Sequence, residues 1–295
     1  MIIKACCLLT IGLMLCCKPS HDPRQEEWIQ LFNEKDLTGW DIKIAGYDLN
    51  DNLNNTFKVK DKVLQVDYSE SKHFTKEFGH LYYHEPFSYY RVRLEYRFVG
   101  KQLEGGPDYA YLNSGIMVHS QAANTLDKGQ TFPVSLEMQF LADDGKTDRH
   151  TGNLCTPGTE ASIKGKPIES HCVNSDSKIY PSGQWVAAEA VVLGDSVIHH
   201  IIEEDTVLTY EQPRTSSNFV SQRTNWTFGG FSDSVRWIQQ QGTLLKEGYI
   251  ALQAESHPVE FRKIELLNLK GCTDPKAINY KSYFVRSDNS QCRYK

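Results

Sequence analysis

The 295-residue chain has no apolar run long enough to form a lasting membrane span, no CxxC pair, no low-complexity tract and no long stretch of helical apolar spacing. Each absence excludes something. Without CxxC, the zinc-ribbon and redox-motif classes lose their signature. Without sustained 3.6-residue periodicity, an all-helical domain is excluded. Excess basic charge is also missing. The 32 Lys and Arg stand against 37 Asp and Glu, for a net charge of −5, and both signs are spread along the chain. That leaves no footprint of a nucleic-acid-binding surface.

What is present favours strands. Aromatic residues make up 11% of the chain and many fall in short alternating runs. In Thr131 to Leu141, Val134, Leu136, Met138 and Phe140 share one face while Ser135, Glu137 and Gln139 share the other. Period-2 alternation marks a strand with one buried face. Tyr82 to Val99 alternates likewise, with Arg91, Arg93, Glu95 and Arg97 opposite Tyr90, Val92, Leu94, Tyr96 and Phe98. Tyr111 to His119 places Asn113, Gly115, Met117 and His119 on one face, and Gly115 predicts close approach of a ligand or a bulge there. Phe57 to Tyr68 reads as a hairpin, as do Gln184 to Leu193 and Ser196 to Glu203 around Gly194-Asp195. Gly248 to Glu255 and Pro258 to Leu269 close the domain. Trp28 to Trp40 reads as a turn, Gly145 to Tyr180 as a long functional loop and Arg214 to Leu245 as a second excursion. Many short strands with long loops predict an all-β, antiparallel β-sandwich.

The first 17 residues are read as a targeting segment: Lys4, a short apolar run, then Cys16-Cys17 and the polar stretch 18–27. The pattern resembles a bacterial lipoprotein signal, with Cys16 or Cys17 as the lipidated residue. It implies a cell-envelope protein, periplasmic or surface-exposed, held to the membrane through its N-terminal lipid. Four cysteines remain beyond this segment: Cys155, Cys172, Cys272 and Cys292. In an oxidising compartment an even number reads as two disulfides. Of the three connectivities, sequence proximity favours Cys155–Cys172 and Cys272–Cys292. Each bridge would contribute on the order of 3 kcal/mol.

The open face of such a sandwich would gather Arg97, Asn113, His119, Glu137, Gln139, Glu189, Gln253 and Glu255. Polar outer faces are ordinarily just solvated, so the coincidence of these groups across five strands is what suggests a site.

Several segments, in order, resemble the 3-keto-disaccharide hydrolase family: LFNEKDLTGW at 31–40, FKVKDKVLQV at 57–66, NSGIMVH at 113–119, SLEMQFL at 135–141 and GYIALQAESHPVEFRKIELLNL at 248–269. The likeness covers about residues 28–269. It implies a concanavalin A-like lectin/glucanase jelly roll acting on glycosides already oxidised at C3. A C3 ketone acidifies the C2 proton. Removal of that proton and departure of the C1 substituent give elimination, completed to hydrolysis by water. The resemblance implies Glu137 as acid/base with His119 or Glu255 as partner, and Asn113, Gln139, Gln253 and Arg97 as substrate-binding groups. It leaves a divalent metal open as cofactor, to be held by Glu137, His119 and Glu255. A non-catalytic carbohydrate-binding lipoprotein on the same fold is the alternative. A glucanase-type glycosidase is a third reading, but 137–142 has Glu137, Gln139 and Ala142 where an ExDxxE-like pattern would put three acids. Residues 271–295 read as a separate small unit, GCTDPKAINYKSYFVRSDNSQC, resembling a Cys-bounded module at the ends of exported Bacteroidetes proteins.

Overall fold

Strict alternation over Tyr89–Phe98 produces the central strand of one sheet. Tyr90, Val92, Leu94, Tyr96 and Phe98 are buried, and the arginines between them face outward. In the computed structural model, which describes residues 22–220 and 226–295, this strand pairs with Val186–Leu193 on one side and Val259–Asn268 on the other. The full sheet runs Lys166–Pro167, Thr159–Ile163, Asp205–Thr215, Val197–Ile202, Val186–Leu193, Tyr89–Phe98, Val259–Asn268, Val63–Val66, Phe57–Lys60. Ile29–Gln30 adds a tenth strand beside Val259–Asn268.

A seven-stranded sheet lies against it, in the order Cys172–Val173, Asn153–Cys155, Leu136–Leu141, Asn113–Ser120, Tyr249–Ala254, Gly79–Tyr83, Trp40–Ile44. Every pairing within both sheets is antiparallel. Leu136, Met138 and Phe140 from one sheet meet Leu94 and Tyr96 from the other in a single core. At its centre the rings of Tyr96 and Phe140 stack with centroids 4.2 Å apart. Each side chain of that size contributes about 1.5–3 kcal/mol through burial. The chain is thus the all-β, antiparallel jelly-roll sandwich that was expected.

Three readings are corrected. The stretch 145–180 is not structureless, because it supplies Asn153–Cys155, Thr159–Ile163, Lys166–Pro167 and Cys172–Val173 to the edges of both sheets. Its buried polar residues bond one another: Ser175 Oγ donates to Thr151 O (2.6 Å), and Thr151 N donates to Ser177 Oγ (2.8 Å). Trp28 to Trp40 ends in a strand, Trp40–Ile44. Arg97 and Glu189 do not share a face with Glu137. They lie on the outer face of the ten-stranded sheet, where Arg97 pairs with Glu260 (2.6 Å) and Arg91 with Glu189 (2.6 Å). Arg97 also stacks over the Trp185 ring at 4.6 Å. Period-2 alternation says which residues share a face along a strand, but not which sheet that strand joins.

Both expected disulfides form. Beyond Leu269 the chain makes a small parallel pair, Lys270–Gly271 with Arg286–Ser287. This end is tied to the N-terminal segment. The Lys281 ammonium pairs with Glu27, and Ser282 N donates to Pro23 O (2.9 Å). Among the described residues no helix is long and apolar enough to cross a membrane. Cys16 and Cys17 lie outside the described residues.

Candidate active site

The site forms on the outer face of the seven-stranded sheet, around a residue with no side chain. Gly115 stands opposite Gln139, and Met117 opposite Glu137. On the other side Leu252 pairs with Ile116, which brings Gln253 beside Gly115 and Glu255 beside Asn113. The strand runs through Gly115 without a bulge in its ladder to Leu136–Leu141, and what lies close to the glycine is a side chain of the protein itself, Glu137. A Cβ on residue 115 would sit 2.5 Å from Glu137 Oε1 and 2.8 Å from its Cγ. Glycine is required here for space, and the gap it leaves lets the carboxyl lie across the sheet.

A cavity of about 320 Å³ opens over this dent, lined among others by Tyr109, Asn113, Phe132, Glu137, Gln139 and Glu255. Glu137 and Glu255 are 5% and 3% exposed. Burial raises the Glu137 carboxyl to about 8. Glu255 is driven well above the usual carboxylate range by burial, and further by the Glu137 charge. A carboxyl taken from water without a partner favours its neutral form, and two such groups side by side resist losing both protons. Glu137 Oε1, Asn113 Oδ1 and Gln253 Oε1 are all buried without a hydrogen-bond partner in the protein. Asn113 is held through its amide nitrogen, which donates to Tyr109 O (2.9 Å). Gln139 Oε1 accepts from Asn153 Nδ2 (3.0 Å), leaving its NH2 to donate into the cavity it lines. Unsatisfied buried groups of this kind are costly, and they concentrate where a ligand completes them.

Five of the seven expected site residues therefore converge: Asn113, Glu137, Gln139, Gln253 and Glu255. His119 does not. Its backbone turns to φ 48° and the ladder with Tyr249–Ala254 shifts register beside it. That turn breaks the alternation of its strand. His119 Nε2 instead meets the Gly194 carbonyl at 2.9 Å, in the hairpin of the opposite sheet. Arg97 is absent for the reason given above. The Glu137–His119–Glu255 metal set is consequently not assembled. The one group of three His, Cys, Asp or Glu side chains close enough for a metal among the described residues is Cys155, His171 and Cys172. Its two sulfurs are already joined in a disulfide.

The residues that sequence reasoning missed are Phe132, Phe228 and His171 on the cavity wall, and His80, whose buried Nε2 has no partner. His80 is directly opposite Gln253 on the same sheet. Gly79–Tyr83 went unread as a strand, and no motif marks His171.

A sandwich with a cavity on one sheet, walled by aromatic residues and floored by two buried carboxyls and amides with unpaired oxygens, sets out groups able to move protons on a bound ligand. The family follows directly: residues 27–267 match the 3-keto-alpha-glucoside-1,2-lyase-like domain, and the chain belongs to that family. Comparison with curated proteins found no match. Among solved structures, the chain is similar to a provisionally assigned glycosyl hydrolase from Parabacteroides distasonis, with 17% identity over 82% of this chain and 100% of that one (TM-score 0.48). It is also similar to a carbohydrate-binding module from Bacillus subtilis, with 10% identity over 78% and 96% of the two chains (TM-score 0.43). A third is LamA from Z. galactanivorans, crystallised with laminaritriose and laminaritetraose, with 9% identity over 82% and 98% (TM-score 0.43).

Proposed function

We propose that the chain cleaves 3-keto-glycosides at C1, with Glu137 as base and Glu255 as acid. The observation that carries this reading is a pair of buried carboxyls with raised proton affinity in one sugar-sized cavity. The C3 ketone makes the C2 proton removable, and Glu137 takes it. The C2–H electrons become the C2=C3 bond of an enolate, whose oxygen accepts from the free NH2 of Gln139. The ketone re-forms as C1=C2 is made and the C1–O bond breaks, and Glu255 gives its proton to the departing oxygen. Water adding across C1=C2 with the two carboxyls in reversed roles restores both and yields the free 3-keto sugar. A base near 8 is far stronger than an ordinary carboxylate, which matches the demand of a C–H proton.

A purely sugar-binding role would need no such pair, since it calls for no group able to take a proton from carbon and no second group able to give one to a departing oxygen. The test is to incubate the protein with a 3-keto-glucoside and with its unoxidised counterpart. Release from the keto sugar alone, lost in Glu137→Gln, is expected. Equal release from both, or from neither, would refute the reading.

We further propose that the protein is exported and anchored to a membrane by lipid at Cys17 or Cys16. The two disulfides of the body fit an oxidising compartment. Labelling with a fatty-acid analogue should mark the native chain and not one in which both cysteines are serine.

A further inference from the structure

A second cavity adjoins the first. It also measures about 320 Å³, and its lining includes Thr156, Glu160, Ser170, Ser217, Asn218 and Gln241. His171 and Val220 line both cavities, so the two share a wall. His171 is firmly placed. Thr156 donates to its carbonyl from both N (3.0 Å) and Oγ1 (3.1 Å), and the adjacent Cys172 is bonded to Cys155. Its Nδ1 is buried with no partner. Burial also lowers its pKa to about 4, so the ring at the junction is neutral at neutral pH.

We propose that the second cavity is the leaving-group subsite, that it takes a polyhydroxylated group such as a second sugar, and that His171 hydrogen-bonds the substrate at the junction of the two units. This rests on Glu137 and Glu255 being the reacting pair. The lining chemistry selects the ligand class. Hydroxyls, amides and the carboxylates of Glu160 and Glu169 match sugar hydroxyls. Among the described residues no lysine or arginine lines the cavity, which disfavours a phosphorylated leaving group, and the imidazole of His171 is their one aromatic ring there, which disfavours an aryl one. Each cavity alone is at the lower end of the range for ligand sites, about 300–1,000 Å³, so one unit in each is the natural filling.

The experiment compares a 3-keto-disaccharide with methyl 3-keto-glucoside on the native protein, Ser170→Trp and His171→Ala. Ser170 is exposed at the cavity wall, so a larger side chain there fills the cavity without entering the core. The ratio of kcat/KM, disaccharide over methyl glycoside, should fall at least tenfold in both variants, carried by KM. His171→Gln should recover part of the loss. A ratio unchanged in both variants would overturn the subsite while leaving the proposed reaction standing. If the native protein turns over neither compound, the reaction is refuted instead. Calorimetry with the unoxidised disaccharide and monosaccharide then decides the subsite. At least tenfold tighter disaccharide binding, lost in Ser170→Trp, supports it, and equal binding overturns it.

Discussion

Replacing Glu137 by glutamine tests the electrostatics of the site without any knowledge of substrate. Burial moves this carboxyl from an ordinary 4.5 to about 8. Between those values the folded chain keeps a proton that the unfolded chain has released. The stability that proton confers is complete below about pH 4.5, falls through the window and is gone above about 8. At about 1.4 kcal/mol per tenfold change in proton activity, the native protein loses up to about 5 kcal/mol from one end to the other. The amide of Glu137→Gln does not titrate. The variant should match the native protein near pH 5, become progressively more stable than it between about pH 5 and 8, and hold that lead above 8. By pH 9 the gap in Tm should be on the order of 10 °C. Removing the Glu137 charge also eases ionisation of Glu255, which acts in the same direction. Thermal unfolding of both proteins from pH 5 to 9, disulfides intact, reads the gap directly. A gap that stays constant across the window would show that Glu137 titrates like a solvated carboxyl, and the assignment of Glu137 as a strong base would fall with it. The same pKa predicts native turnover rising with pH through a limb near 8.

Other substitutions separate the site from its scaffold. Gly115→Ala puts a Cβ 2.5 Å from Glu137 Oε1, so turnover should fall at least a hundredfold while Tm drops by a few degrees; unchanged turnover would mean the carboxyl works from elsewhere. His119→Asn tolerates the φ of 48° but loses the bond to Gly194 O. It should cost about 1–3 kcal/mol in denaturant unfolding and leave KM unaltered. Arg97→Met removes one outer-face ion pair and should change stability by less than about 1 kcal/mol and turnover not at all. Serine at both Cys155 and Cys172 should lower stability by about 3 kcal/mol. It should also depress turnover, because Cys155 stands directly opposite Glu137 and both cysteines line the cavity. Full activity in that variant would make the bridge purely a matter of stability.

Much of the fold was legible because one face of each long strand is buried. Leu136–Leu141, Tyr89–Phe98 and the hairpin at Gly194-Asp195 all carry the pattern that burial imposes. The cavity-lining residues of that strand were legible for the same reason: Glu137 and Gln139 alternate with core residues and so had to share a side. The errors arise where a local rule meets a non-local one. Arg97 alternates just as cleanly, but its strand belongs to the other sheet. His119 obeys the count along its strand until a positive φ reverses it. Asp205–Thr215 was missed as a strand although it pairs along Val197–Ile202, because polar residues and Pro213 dilute its signal. His171 sits in a polar stretch whose order comes from cross-bonds and a disulfide that no periodicity encodes.

The clasp joining Pro23 and Glu27 to Lys281 and Ser282 brings the two ends of the folded body within bonding reach. The sandwich is therefore close to a closed ring, and its architecture depends on the cyclic order of its strands more than on where the ring is cut. A chain reopened at the exposed Asp61-Lys62 turn, with its present ends joined by a flexible linker long enough to leave the clasp undisturbed, should retain every strand pairing described here. Such a circular permutant should fold with the dent at Gly115 intact.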